Sequence, residues 1–226
     1  MPAITGFETA LRRAFEQHAN SENAFHMKRY MREMFDFYGI NSPSRKNIIK
    51  TLRRQHGLPP LAELKDFCLY CFQQKEREWQ YAVGDLMTPL ARKLDPSWLP
   101  VLEELIVTKS WWDTVDFISP KLCGGLLLSF PQLLAPTAHR WIESDNFWLQ
   151  RAAILVQLTY KQKTNEPLLF ECIKRRSDSK EFFVNKASGW ALRQYARVAP
   201  DAVKAFVDTT TLPPLTYREA VRHLGL

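Results

Sequence analysis

The segment TKSWWDTVDFISP, residues 108–120, sets a large aromatic beside a carboxylate. On a helix, Trp111, Val115, Ile118 and Leu122 follow i, i+4, i+7, i+11 spacing and form an inward stripe. Trp112 and Asp116, also four apart, lie about 100° round from that stripe and next to one another. A carboxylate so placed needs either a structural cation or a chemical task. Arg151, in WLQRAAILVQL, sits among residues that read as buried, so its guanidinium must be paired, reach out to solvent or point into a groove. Asp113 or Asp116 would be its partner inside the protein, and a phosphate held by two parallel bonds its partner outside. Trp190 shares a helical face with Lys186, with Arg193 or Gln194, and with Arg197, while Phe183 and Tyr195 lie nearby in the sequence. Basic groups interleaved with aromatics are what nucleic-acid surfaces use.

The elements that must hold these residues read as helices. The chain has 226 residues, enough for a substantial core, and only 8 are glycine, which favours helix over sheet. Apolar spacing is helical almost throughout, and alternating strand-like runs are missing, which predicts an all-α protein. Helices are expected at 4–18, 23–38, 43–56, 60–73, 76–93, 96–108, 110–118, 121–129, 132–142, 145–162, 166–176, 180–197, 200–209 and 215–224. A capping side chain followed by proline predicts starts at Ser42-Pro43, Asp95-Pro96 and Ser119-Pro120, and Pro120 is expected to break the helix that carries Asp116. Trp79, Trp112, Trp148 and Phe183 come into register at intervals of 33, 36 and 35 residues, the period of a stacked helix-pair solenoid with a concave face. Without a linker or composition break, 1–226 is expected to form one domain.

Lys plus Arg at 31 against Asp plus Glu at 24 gives a net charge of +7, a balance that attracts polyanions. The charge is localised. Residues 26–54 carry Lys28, Arg29, Arg32, Arg45, Lys46, Lys50, Arg53 and Arg54 against Glu33 and Asp36, and 174–197 carry seven basic groups against two acidic. Two basic regions on a curved stack suit two stretches of phosphate backbone. The first residues lack a signal-peptide pattern and no apolar run approaches membrane-spanning length, which predicts a soluble, cytoplasmic protein. Cys68 and Cys71 form a lone C-x-x-C pair and, with Cys123 and Cys172, read as reduced core residues. His18, His26, His56, His139 and His223 join no cluster with ligand spacing, so no metal is expected.

The stretches YGINSPSR, LEELIVTKSWWDTVD, SDNFWLQRAAIL and SKEFFVNKASGWALRQYA, in this order and spacing, resemble the AlkD-type alkylpurine DNA glycosylases along essentially the whole chain. That bacterial DNA-repair family is built from HEAT-like helical repeats. The resemblance implies that Trp112, Asp116 and Trp190 surround the lesion nucleotide and that Arg151 helps to hold the DNA backbone there. Tyr30 matches an aromatic of the DNA-facing surface, and Lys186, Arg193, Phe183, Arg45 and Lys46 fall on the surface expected to bind DNA. Asn41 departs from the glutamine with which close relatives touch the DNA opposite the lesion, and its shorter side chain leaves that contact open. The implied reaction is hydrolysis of the N-glycosidic bond of cationic purines, of the 3-methyladenine or 7-methylguanine type, in double-stranded DNA. A positively charged base is a good leaving group, so Asp116 would stabilise the developing sugar cation and orient water, with tryptophan faces favouring both cations. No Schiff-base lysine or cofactor is implied, and a monofunctional, monomeric enzyme is expected. The alternatives are a non-catalytic helical-repeat binder of bent or branched DNA and a scaffold for another protein.

Overall fold

Short polar side chains set many of the helix starts. Asn20, Asn41, Asn146 and Asn165 each accept a backbone N–H two or three residues ahead, and Asp95 does the same for the turn that begins at Pro96. A computed structural model of the chain describes residues 6–222 and 224; the first two positions of the first expected helix, and His223, lie outside the described residues. The fold is all-helical, as the apolar spacing predicts, and a single isolated bridge, between Asp36 and Glu76, is the only extended pairing among the described residues. Nor is any single described helix long and apolar enough to cross a membrane.

The chain groups into two compact units, Met1–Leu90 and Ala91–Leu226. The first contains α1 (Gly6–Gln17), α2 (Ser21–Tyr30), α3 (Ser42–His56), α4 (Glu63–Gln73) and α5 (Glu78–Met87). Phe7, Leu11 and Phe15, one turn apart on α1, are buried, and the rings of Phe15 and Trp79 meet edge to face at 5.4 Å. The second contains α6 (Leu99–Val107), α7 (Trp112–Phe117), α8 (Gly124–Ser129), α9 (Leu134–Ile142), α10 (Phe147–Leu155), α11 (Glu166–Arg175), α12 (Phe182–Tyr195), α13 (Pro200–Thr209) and α14 (Pro214–Val221). Here α10 is central and packs on α6, α7, α9, α11 and α12. The residues in register, Trp79, Trp112, Trp148 and Phe183, each occupy the first or second position of a helix, so the period in the sequence is a period of helix starts. This is the helical-repeat pattern.

Several boundaries differ from expectation. The helix expected over 23–38 ends at Tyr30, because Arg32 and Glu33 take left-handed backbone angles, φ 55° and 62°. The chain then runs in irregular conformation to Asn41, which caps α3 in place of Ser42. Ser119-Pro120 starts no helix. A π-helical turn over Ile118–Cys123 carries the chain from α7 into α8, and the Ser119 hydroxyl donates to the Ala152 carbonyl at 2.7 Å. The wider π turn accommodates the proline, whose missing N–H would otherwise interrupt the helix. Cys68, Cys71, Cys123 and Cys172 are all buried with free thiols, and burial pushes each of them up.

Candidate active site

Asp116 and Arg151 find one another. From α10, Arg151 Nε donates to Asp116 Oδ1 and Nη2 to Oδ2, both at 2.9 Å, which is the two-point geometry of a guanidinium on a carboxylate. Nη1 donates to the backbone carbonyl of Phe183 at the start of α12. One side chain thus ties α7, α10 and α12 together. The Arg151 side chain is 4% exposed and that of Asp116 is 21%. Arg151 therefore lies behind the carboxylate, and one edge of Asp116 still reaches the surface. Burial raises the Asp116 carboxyl above its ordinary pKa; Arg151 opposes this and Asp113 adds to it. Trp112, half-buried, shares the Asp116 side of α7 one turn earlier. Val115, Ile118 and Leu122 are fully buried, whereas Trp111, the first member of the expected stripe, stands just ahead of α7 in extended conformation and is only half-buried.

An aromatic cluster borders this pair. The Phe183 ring lies 5.2 Å from Trp111 and 4.8 Å from Trp148, and Phe147 stacks parallel to it at 6.3 Å. Trp190, half-buried, sits seven residues beyond Phe183, two turns along the same face of α12. Lys186 and Arg193 flank it, and both close on Glu219 of α14, Lys186 at 2.6 Å. That double pairing holds the Glu219 carboxyl below the usual range. Helices α12 and α14 can come this close because residue 189 is glycine: a Cβ there would stand 2.5 Å from Glu219 Cβ and 2.8 Å from the Thr216 carbonyl oxygen. Among the described residues no group of three His, Cys, Asp or Glu side chains is placed to hold a metal ion.

The N-terminal residues separate into inward and outward groups. Arg45 turns inward, 2.7 Å from Asp85 and 4.8 Å over the Tyr81 ring, while Lys46 on the next position is exposed. Tyr30 is 72% exposed. The Asn41 side chain, itself exposed, is used by the Ser44 N–H at 3.0 Å. Sequence reasoning missed Glu78, a fully buried carboxylate that accepts the N–H groups of Tyr38, Gly39 and Ile40 at 3.1, 2.8 and 3.0 Å. It pins the irregular segment before α3, where Gly39 (φ 87°) lies too close to the Asn20 carbonyl for any side chain. Glu219 was missed for the same reason, since neither acid stands out until its partners, distant in sequence, are known.

The helical-repeat fold thus fixes the partly exposed Asp116 carboxylate with a buried arginine, beside aromatic and basic side chains. The chain belongs to the DNA alkylation repair enzyme family, whose model matches residues 11–224. Among solved structures it is similar to a predicted DNA alkylation repair enzyme from Enterococcus faecalis, at 32% identity and a TM-score of 0.84, with 91% of this chain and 96% of that chain covered. No curated protein matches it. Membership makes this a DNA-repair protein of all-helical fold with DNA as its substrate.

Proposed function

We propose that the protein is a monofunctional DNA glycosylase, which hydrolyses the N-glycosidic bond of cationic alkylated purines in duplex DNA and leaves an abasic site. The observation that carries this reading is the Asp116 carboxylate, held at two points by Arg151 with one edge reaching the surface. A purine alkylated at N3 or N7 carries positive charge and departs neutral, so the difficulty lies in the sugar, which becomes cationic. A fixed carboxylate stabilises that charge without reorganising during the reaction, and a carboxylate at that position can orient the attacking water. Trp112, one turn away on α7, and Trp190 on α12 offer faces that attract the cationic base and sugar. Arg151 acts through Asp116 as a positioning residue, and Lys186, Arg193 and Lys46 meet the phosphate backbone.

The test is release of free 7-methylguanine from a duplex containing that single lesion, with the wild type and Asp116→Asn under single-turnover conditions. Release by the wild type alone is expected. No release by either protein, with DNA still bound, would replace the enzyme with a non-catalytic binder of distorted DNA.

A further inference from the structure

Helix α3 carries four cations that its fold does not use. Lys46, Lys50, Arg53 and Arg54 follow i, i+4, i+7, i+8 spacing, within about 100° of arc, and all four are exposed. The opposite side of the helix is buried through Arg45, Ile48, Ile49 and Leu52. None of the chain's 24 acidic residues falls between positions 37 and 62. Acids on the neighbouring helices are engaged elsewhere: Asp85 of α5 pairs with Arg45 at 2.7 Å, and the charge of Glu16 on α1 is felt at Arg12 and Tyr38. Among the described residues no side chain pairs with any of the four cations. Lys46 and Lys50 are like charges one turn apart, as are Lys50 and Arg54, an arrangement that weakens a helix. Arg53 and Arg54 stand in the last turn, where the helix end favours cations, but Lys46 and Lys50 come before it. The stripe as a whole therefore does not serve the stability of α3.

We infer that this stripe is a phosphate-tracking surface, which holds undamaged duplex DNA by charge and without regard to sequence. The occupant follows from what the face has and what it lacks. Four unpaired cations over about 12 Å of helix complement a polyanion. The face offers no apolar anchor of the kind that carries protein interfaces, since none of the large hydrophobic side chains exposed among the described residues belongs to α3. Membership of the repair family supplies DNA as the polyanion, and cationic side chains in a row meet its phosphates rather than its base edges. The stripe lies in the first compact unit and Asp116 in the second, so the grip on undamaged DNA and the reaction at a lesion belong to different helices. The inference rests on DNA as the partner and not on base release.

The experiment titrates the full chain into an undamaged, fluorescein-labelled duplex and reads anisotropy at several salt concentrations. The Lys50→Gln/Arg53→Gln/Arg54→Gln variant is expected to bind about a hundredfold more weakly at about 0.1 M salt, with a salt slope reduced by about three. Glutamine keeps the helix propensity of the residues it replaces, and a melting temperature at or above that of the wild type is expected because repulsion has been removed. Lys50→Gln alone should reduce the slope by about one, which keeps the test open if the triple variant does not fold. Arg92→Gln/Lys93→Gln/Lys204→Gln removes the same charge from exposed positions of the second unit and should leave the slope within about one of the wild type. A stripe variant that keeps the wild-type slope, or a control that loses as much, overturns the inference. Tighter binding of the wild type to phosphatidylserine vesicles than to the duplex also overturns it and gives the face to a membrane. Release of 7-methylguanine measured on the same preparations separates the two readings. Release with an unchanged slope in the stripe variant removes the tracking surface alone, and a lost slope without release by the wild type removes the glycosylase alone.

Discussion

Arg151 grips Asp116 across 35 residues of sequence, and its third bond, to the Phe183 carbonyl, makes the start of α12 part of the same assembly. An ammonium cannot reproduce this fork, so Arg151→Lys is not a conservative change. It leaves a half-satisfied carboxylate in a largely buried position. We expect a loss of about 3 kcal/mol in urea denaturation and a fall of at least about tenfold in single-turnover release, the size of a mispositioned catalytic group. Activity near that of the wild type would mean that charge alone, without the two-point geometry, is what Asp116 requires.

Catalysis and folding should respond to acid in separate windows. Asp116 must be ionised to act, and burial has raised its pKa, so release falls as pH drops through a value above the ordinary one for aspartate. A raised carboxyl pKa also means that protonation of Asp116 favours the folded state, so acid that stops the reaction does not unfold the protein through this group. Glu219 and Glu103 behave oppositely: their partners hold them below the usual range, and the stability they contribute is present above the unfolded-state pKa and lost as pH falls through the lower folded values. Release rate and far-ultraviolet circular dichroism, followed together from pH 7 downward, should show activity lost before structure. Simultaneous loss would contradict this assignment.

Gly189→Ala should force α12 and α14 apart, because the added methyl meets Glu219 Cβ and the Thr216 carbonyl at 2.5 and 2.8 Å. The cost is about 1–3 kcal/mol, the range for overpacking a tight contact. Release should fall as well, since α12 carries Trp190. An unchanged urea midpoint would show that the crossing can relax.

Glu219→Gln removes the charge that Lys186 and Arg193 share. With both cations freed for phosphate, DNA binding should tighten and its dependence on salt should steepen by about one to two ion equivalents. Titrations at two salt concentrations would measure this. Weaker binding would mean that Glu219 holds the two side chains where DNA needs them.

Features written within one or two helical turns were legible in the sequence. The Val115, Ile118 and Leu122 stripe, the placing of Trp112 beside Asp116 and the cap at Asp95 depend only on local spacing, and the structure has them. Features decided by distant partners were not. Residues 31–34, Met-Arg-Glu-Met, are good helix formers, yet the helix stops there, and just beyond, Glu78 draws three N–H groups of the segment 38–40 to itself. Ser119-Pro120 has the local look of a helix start, but its hydroxyl is used by Ala152 on another helix. For Arg151 the sequence offered an inner carboxylate and an outer phosphate, both suited to a two-point bond. The fold, by placing α7 against α10, brings the carboxylate to it.

The burial of the cysteines has a consequence for a protein of this family. Methylating reagents attack soft sulfur nucleophiles readily, and the reactive form is the thiolate. Cys68, Cys71, Cys123 and Cys172 are all shut away from solvent and held protonated by their surroundings. Conditions that alkylate DNA should therefore leave these four sulfurs unmodified, and mass spectrometry after exposure to methyl methanesulfonate should find methyl groups on exposed side chains first. The shielding extends to these four thiols, and an exposed thioether such as Met34 stays open to the reagent.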